Sequence, residues 1–231
     1  DLCPYDYDPE QLDGDQDGHG DACDACPAES NPGTSLCSTS LYALNQGEVA
    51  LGALRLAEPL IVTAVRATGA YAQVDPSVVG YSGAEYSGIW LQGTTALSVG
   101  DVIQITSATA ADYYGMRELT QCTVVVEGTG VTVPPLDVSD QGDLNQSPVV
   151  SAVQGVLIAL ADGLVLSVDD VNGTFVVDFG GWTLQVDSEL YAASALPAVG
   201  DVLTSLQGLA HLSQGTLSVS PRSESDWVLA P

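Results

Sequence analysis

From residue 49 onward, hydrophobic and polar positions alternate in short runs. Segments 49–55, 60–66, 87–92, 101–106 and 122–127 are rich in β-branched residues and bounded by Gly, Asp and Ser. This is the pattern of short, half-buried strands. A second set follows at 152–160, 164–168, 174–179, 182–186, 201–208 and 216–219. Few segments show helical spacing; 39–46 is read as a brief helix or an extended entry. Segment 108–115 is read as a short turn that sets Tyr113 and Tyr114 over one end of its unit. Between the two sets, a Pro-containing stretch (133–138) and a polar one (139–147) form a connector. The chain is therefore expected to be mainly β, with units at 38–138 and 139–231 behind a distinct segment at 1–37.

The two units echo each other. Leu97-Ser98-Val99-Gly100-Asp101-Val102 recurs as Pro197-Ala198-Val199-Gly200-Asp201-Val202, an offset of 100 residues. Val-Gly-Asp is a turn feeding a strand, so the repeat is read as structural.

Charge changes the picture at the N-terminus. The 231 residues hold 30 Asp and Glu against four Arg and no Lys, for a formal charge of −26. Nucleic-acid binding depends on neutralising phosphates, so nucleic acid is expected to be an unlikely partner. The same argument weighs against anionic membranes, and no apolar run approaches the ~20 residues of a membrane helix. Ten of the acids fall in the first 30 residues, with no base among them. Four of the five Cys (Cys3, Cys23, Cys26, Cys37) lie in the same region. A small, coreless segment is where disulfides stabilise most, and they form in oxidising compartments. The four allow three pairings; Cys3–Cys23 with Cys26–Cys37 is favoured. Cys23-x-x-Cys26 has no second CxxC and no His at ligand spacing, so it is not read as a zinc or redox site. Cys122, in a strand-like run, is read as a buried free thiol.

Asp13, Asp15, Asp17, Asp21 and Asp24 recur on a glycine-punctuated loop (Gly18, Gly20). Such spacing converges oxygens on one point, as a hard cation such as Ca²⁺ requires. The start resembles an EF-hand loop but carries Asp24 where that loop has Glu, and it lacks flanking helices. Cys3-Pro4-Tyr5, Asp8-Pro9-Glu10-Gln11 and Asp13-x-Asp15-x-Asp17-Gly18-x-Gly20-Asp21-Ala22-Cys23-Asp24-x-Cys26-Pro27 together resemble a thrombospondin type 3 repeat. Asp8 stands where that family usually has Asn, and the chain departs from the repeat over 27–34. The resemblance implies an extended, disulfide-linked chain wrapped around Ca²⁺. Its ligands would be Asp8, Asp13, Asp15, Asp17, Asp21 and Asp24, with His19 offering its backbone carbonyl.

The β units also resemble a family. Tyr86-Ser87-Gly88-Ile89-Trp90-Leu91-Gln92, Val99-Gly100-Asp101, Tyr113-Tyr114-Gly115 and Glu118-Leu119-Thr120 are similar to the OB-like barrels of secreted bacterial nucleases. So are Gly155-Val156, Phe179-Gly180-Gly181-Trp182, Val199-Gly200-Asp201 and Pro221-Arg222-Ser223. In that family the barrels precede an endonuclease/exonuclease/phosphatase-type domain, and too few residues follow the second unit to hold one. The resemblance implies two tandem OB-like β-barrels behind the calcium-binding segment.

Catalytic motifs are missing. No Gly-x-Ser-x-Gly, P-loop or His-Glu-x-x-His occurs, and His211 is read as a face or edge residue. The tyrosines Tyr71, Tyr81, Tyr86, Tyr113 and Tyr114 are read as rim packing with a capacity to stack on sugars or bases. Taken together, the sequence leads to the expectation of a secreted or cell-surface, non-enzymatic, calcium-binding structural or adhesive protein. Its arm would dock on its own barrel or on a neighbour, in the extreme building a filament. The alternatives are the accessory module of a secreted nuclease or hydrolase, or a glycan-binding adhesin. Expected partners are further copies of the chain, extracellular protein or glycan.

Overall fold

A computed structural model describes residues 1–30, 36–94, 96–146, 148–213 and 215–231. The departure from the repeat at 31–34 and the last connector residue, Ser147, lie outside these. In chain order the first unit comprises β1 (Ser38–Thr39), α1 (Leu41–Gln46), β2 (Ala53–Leu56), β3 (Leu60–Arg66), β4 (Gly69–Val74), β5 (Gly88–Gln92), β6 (Val102–Tyr113) and β7 (Met116–Gly128). The second comprises β8 (Leu136–Asp137), α2 (Val149–Val153), β9 (Leu157–Leu160), β10 (Gly163–Asp169), β11 (Thr174–Asp178), β12 (Thr183–Val186), β13 (Val202–Ser213), β14 (Thr216–Ser220) and β15 (Trp227–Leu229).

Each unit closes into a five-stranded OB-like barrel. In the first, the circuit runs β3-β4-β5-β7-β6 and returns to β3, with only the β5–β7 pair parallel. In the second it runs β10-β11-β12-β14-β13 and returns to β10, with only β12–β14 parallel. Small strands extend each circuit: β1 and β2 beside β6, and β8, β9 and β15 beside β13. No described helix is long and apolar enough to cross a membrane.

Closure explains the repeated turn. Gly100 and Gly200 take φ of +90° and +93°, a region that favours glycine. Their N–H groups donate to Val62 and Val165 on the first strand of each barrel, at 2.8 and 2.9 Å. Asp101 and Asp201 each cap their own turn, accepting from Ser98 N–H and Ala198 N–H. The repeat thus pins the first strand of each barrel to the fourth.

Two aliphatic cores fill the barrels, one around Leu60, Val62, Ile89, Leu91, Ile103 and Leu119, the other around Ile158, Val165, Phe175, Val177, Leu206 and Val219. A third, smaller core of Ala64, Tyr71, Trp90, Leu157 and Leu209 lies between them. The barrels touch backbone to backbone: a Cβ on Gly88 would fall 2.2 Å from the Gly155 carbonyl carbon. Beside this contact, the buried Gln73 amide accepts from Leu157 N–H at 2.8 Å and donates to Ser87 Oγ at 3.1 Å. Tyr86 N–H donates to the Ala152 carbonyl at 2.7 Å.

Several elements differ from the sequence expectation. The strand at 49–55 shrinks to Ala53–Leu56, and 152–160 divides into α2 and β9. Segment 108–115 is not a separate turn. It continues β6 to Tyr113, and only Tyr114 and Gly115 form the bend into β7. Strand β4 had no sequence signal because Gly69-Ala70-Tyr71-Ala72-Gln73-Val74 lacks alternation. All six residues are buried, one face against its own barrel and the other against the second.

The Gly88 contact leaves no room for a methyl group without backbone displacement, so Gly88→Ala should destabilise the barrel–barrel joint by about 1–3 kcal/mol or more. In calorimetry, one cooperative transition should broaden or split into two. A variant melting like the parent would show that the joint does not couple the barrels.

Candidate ligand cleft and acidic arm

A cleft of about 820 Å³ opens where the first barrel meets the second. The first barrel's side of it consists of the outer face of β4 and β5 (Tyr71, Trp90, Gln92), the β3–β4 loop (Arg66, Thr68) and the β6–β7 hairpin (Tyr113, Tyr114, Met116, Glu118). In barrel order these are strands two and three with the loops joining strands one–two and four–five. That is the surface on which OB barrels bind oligonucleotides and oligosaccharides. Glu189, His211 and Leu212 of the second barrel roof it.

Its floor is preorganised. Tyr71 and Trp90 rings lie 4.7 Å apart, and the Arg66 guanidinium sits 5.7 Å from the Trp90 ring centroid, within cation–π range. Gly69 makes this possible, since a Cβ there would fall 2.2 Å from the Leu91 carbonyl oxygen and 2.7 Å from the Trp90 ring. Trp90 Nε1–H donates to Gln92 Oε1 at 2.8 Å, which leaves the Gln92 amide NH₂ as a donor. Arg66 also pairs with Glu189 across the joint. Burial pushes the Tyr71 hydroxyl well above its usual range, with Arg66 beside it partly offsetting this. Burial raises Glu118, and the nearby Asp112 carboxylate adds to the rise.

The aromatic rim lies on a strained hairpin. Tyr114 and Gly115 both have positive φ, +52° and +86°, between the paired residues Tyr113 and Met116. This is a two-residue turn of the kind that prefers Asn-Gly, and a tyrosine in its first position is strained by ~1–3 kcal/mol. The turn thrusts two exposed rings outward, Tyr113 and Tyr114, 4.7 Å apart and nearly perpendicular.

Of the tyrosines read as rim packing, only these two are exposed large aromatics on the cleft. Tyr71 is 2% exposed, and Tyr81 and Tyr86 are half-buried against the first core. His211, read as a face or edge residue, is 2% exposed in the roof of the cleft, its ring 6.4 Å from Tyr71. Its Nε2 lies 2.8 Å from Asp187 Oδ2 and 3.0 Å from Ser220 Oγ, and the Ser220 hydroxyl donates to Asp187 Oδ1. A hydrolytic triad places Asp and Ser on opposite ring nitrogens; here both meet Nε2. Burial raises the Asp187 carboxyl, but the hydrogen bond and charge of His211, with further bonds from Ser220 and Glu189 N–H, outweigh it and hold the group below the ordinary carboxylate range.

In the arm, both favoured disulfides are present, Cys3–Cys23 and Cys26–Cys37, with S–S distances of 2.10 and 2.00 Å. The arm joins the first barrel through an ion pair of Glu29 with Arg55 and through β1, which pairs in parallel with β2. Asp13, Asp15 and Asp17 come together, with one oxygen from each lying within 4.8 Å of the others. Asp24 lies within electrostatic range of Asp15. Burial raises the Asp15 carboxyl, with repulsion from Asp17 and Asp24 adding to it. Asp15 Oδ2 and Asp24 Oδ2 are enclosed without a hydrogen-bond partner. The other expected ligands make hydrogen bonds within the arm. Asp21 accepts from Gly14 N–H, Asp8 from Gln11, and the His19 side chain is exposed while its N–H donates to Asp17. Cys122 is a half-buried free thiol whose pKa is pushed by burial up to about 11.

No family model matches the chain, and no curated protein matches it either. Solved structures do. One is the tetrameric p202 HIN2, at 9% identity and a TM-score of 0.33, covering 79% of this chain and 96% of that one. Another is the Ifi202 HINa domain with 20 bp dsDNA, at 15% identity and a TM-score of 0.31, covering 78% and 98%. A third is fission yeast Pot1 with ssDNA, at 12% identity and a TM-score of 0.31, covering 79% and 84%. These findings overturn two expectations. The adhesive, filament-forming protein and its alternatives are set aside: the structures named here are HIN domains or DNA complexes. The exclusion of nucleic acid as a partner falls with them. It had rested on total charge, whereas base recognition depends on local ring faces and edges. At these TM-scores the likeness transfers no function, so any reading must come from the cleft itself.

Because Asp187 is depressed, its contribution is present above the ordinary carboxylate pKa of ~3.9 and is lost as pH falls through the folded value. The parent should therefore melt above Asp187→Asn at pH 7, and the gap should close below about pH 4. A gap that widens on acidification would show that the carboxylate is not stabilised by its partners.

Proposed function

We propose that this chain is a non-enzymatic binding protein that takes the planar base of a single-stranded nucleic acid in the OB-type cleft of its first barrel. The observation that carries this reading is the coincidence of the cleft with the ligand face of the barrel, rimmed by two exposed tyrosines. Stacking on an aromatic ring contributes about 1–3 kcal/mol per base and tolerates any sequence. Polar groups for the base edge lie beside the rings: the Gln92 amide and Thr68 hydroxyl as donors, and the Glu118 carboxylate as acceptor for an exocyclic amine. The closed His211–Asp187–Ser220 arrangement, with Ser220 buried, supports a binding rather than hydrolytic role.

The hairpin provides the test. Asn suits the first position of this turn better than Tyr, so Tyr114→Asn should raise the melting temperature while weakening binding of a thymidine oligonucleotide, read by Trp fluorescence, about 5- to 100-fold. Unchanged affinity would remove the rim from the site and the reading with it. Salt supplies a second signature. A basic protein releases its nucleic acid as salt rises. Here the −26 background repels phosphate, so affinity should rise between about 0.01 and 0.15 M salt as the screening length falls from ~30 to ~8 Å.

The arm supports a second component of the reading, a structural Ca²⁺ bound in the manner of a thrombospondin type 3 repeat. Asp13, Asp15 and Asp17 would hold it with Asp24, whose unpartnered oxygen, like that of Asp15, fits a hard cation. Bound there, the cation would neutralise the converging carboxylates. Two disulfides in a segment without a core support an extracytoplasmic location. Ca²⁺ should protect the arm from limited proteolysis, with Asp15→Asn requiring at least about tenfold more of the ion. Identical digestion in Ca²⁺ and in EDTA would count against the ion.

A further inference from the structure

Resting on the base-binding reading, we infer that the cleft takes the end of a strand and not its middle. Three observations carry this. An OB groove that binds through-going strands is open along strands two and three. Here that face is closed inward: Tyr71 and Trp90 pack on Leu157 and Leu209 of the second barrel, and behind them Gly88 abuts Gly155.

The side is closed as well. The β6–β7 hairpin reaches the second barrel, where a Cβ on Gly115 would lie 3.5 Å from Leu212 Cδ1. Tyr113, Tyr114, Met116 and Glu118 face the large cleft. Asp112, Gly115 and Arg117 face a second, polar cleft of about 240 Å³, divided from the first by the Trp90 and Met116 side chains that line both. The hairpin is thus a partition, and a strand entering past the tyrosines meets a wall. The cleft's 820 Å³ is the size of a site enclosing one small ligand, roughly one or two nucleotides.

Charge outside the cleft points the same way. A through-going strand needs a basic track, yet Arg55, Arg66 and Arg222 are tied to Glu29, Glu189 and Asp226. Arg117 donates to the Leu44 carbonyl, 4.0 Å from Asp112 and on the far side of the partition. Each added phosphate therefore meets repulsion without a partner. The site gains nothing from length, and a looped strand would have to bring two phosphate runs through one acidic mouth.

The experiment compares a linear 20-nucleotide oligothymidylate, the same sequence closed into a circle, and the dinucleotide, by fluorescence titration of the full chain at 0.15 M salt. The linear strand and the dinucleotide should bind within about threefold of each other, and the circle at least tenfold more weakly. Equal affinity for circle and line would overturn end recognition while leaving base binding intact. Affinity climbing steeply from dinucleotide to 20-mer would overturn it too, because it would reveal a track for internal nucleotides. Binding by none of the three would overturn the base-binding reading, and end recognition with it.

Discussion

The architecture depends on one close approach, the backbone of Gly88 against that of Gly155. Any side chain there would hold the barrels apart. With glycine at both positions, the outer face of the first barrel lands on the second, and Gln73 bridges to the Leu157 amide at the line of contact. That landing turns Tyr71 and Trp90 from a solvent-exposed platform into a buried floor, and it brings Glu189, His211 and Leu212 over the opening. The cleft belongs to neither barrel alone. Its width is set by how closely two main chains meet, a dimension far less adaptable than side-chain packing.

Local order in the cleft is maintained against two opposing tendencies. Tyr114 holds a backbone conformation that another residue would adopt with less strain. Asp187 retains its charge in a site whose burial disfavours charge, because His211 and Ser220 both bond to it. In each case the stabilisation comes from surrounding structure: the paired strands β6 and β7 in one, a closed hydrogen-bond ring in the other. The acidic arm lacks such internal compensation, since Asp15 and Asp24 keep enclosed oxygens without partners. That difference distinguishes a region whose buried charge is fully partnered from one in which two carboxylate oxygens are left without a partner.

Much of this was legible in the sequence, and the remainder was hidden for physical reasons. The Val-Gly-Asp turns announced two related units because glycine geometry and an Asp cap are local properties. The disulfides followed from four cysteines in a short acidic segment. Strand β4 was invisible because a strand covered on both faces has no alternation, and its small residues reflect the neighbour it packs against. The cleft was invisible because its walls come from positions as far apart as Arg66 and Leu212, which only the joint brings together. Tyr113 and Tyr114 were noticed at their end of the barrel, but not the turn that exposes them. Total charge was a poor guide to the cleft, because a sum over 231 residues says little about four side chains around one ring.

The covalent wiring of the arm has a consequence of its own. Cys26–Cys37 spans the stretch that links the acidic loop to β1, and Cys3–Cys23 encloses the loop itself. A single peptide-bond cut between 26 and 37, or between 3 and 23, would leave every piece fastened to the barrels. Detachment by a cut within either span would need a reductant as well; only a cut between Cys23 and Cys26, or beyond Cys37, would free the acidic loop by itself. A molecule nicked within either span would migrate as intact until its bridges were opened, so the arm can accumulate such damage in an oxidising setting without being lost from the protein.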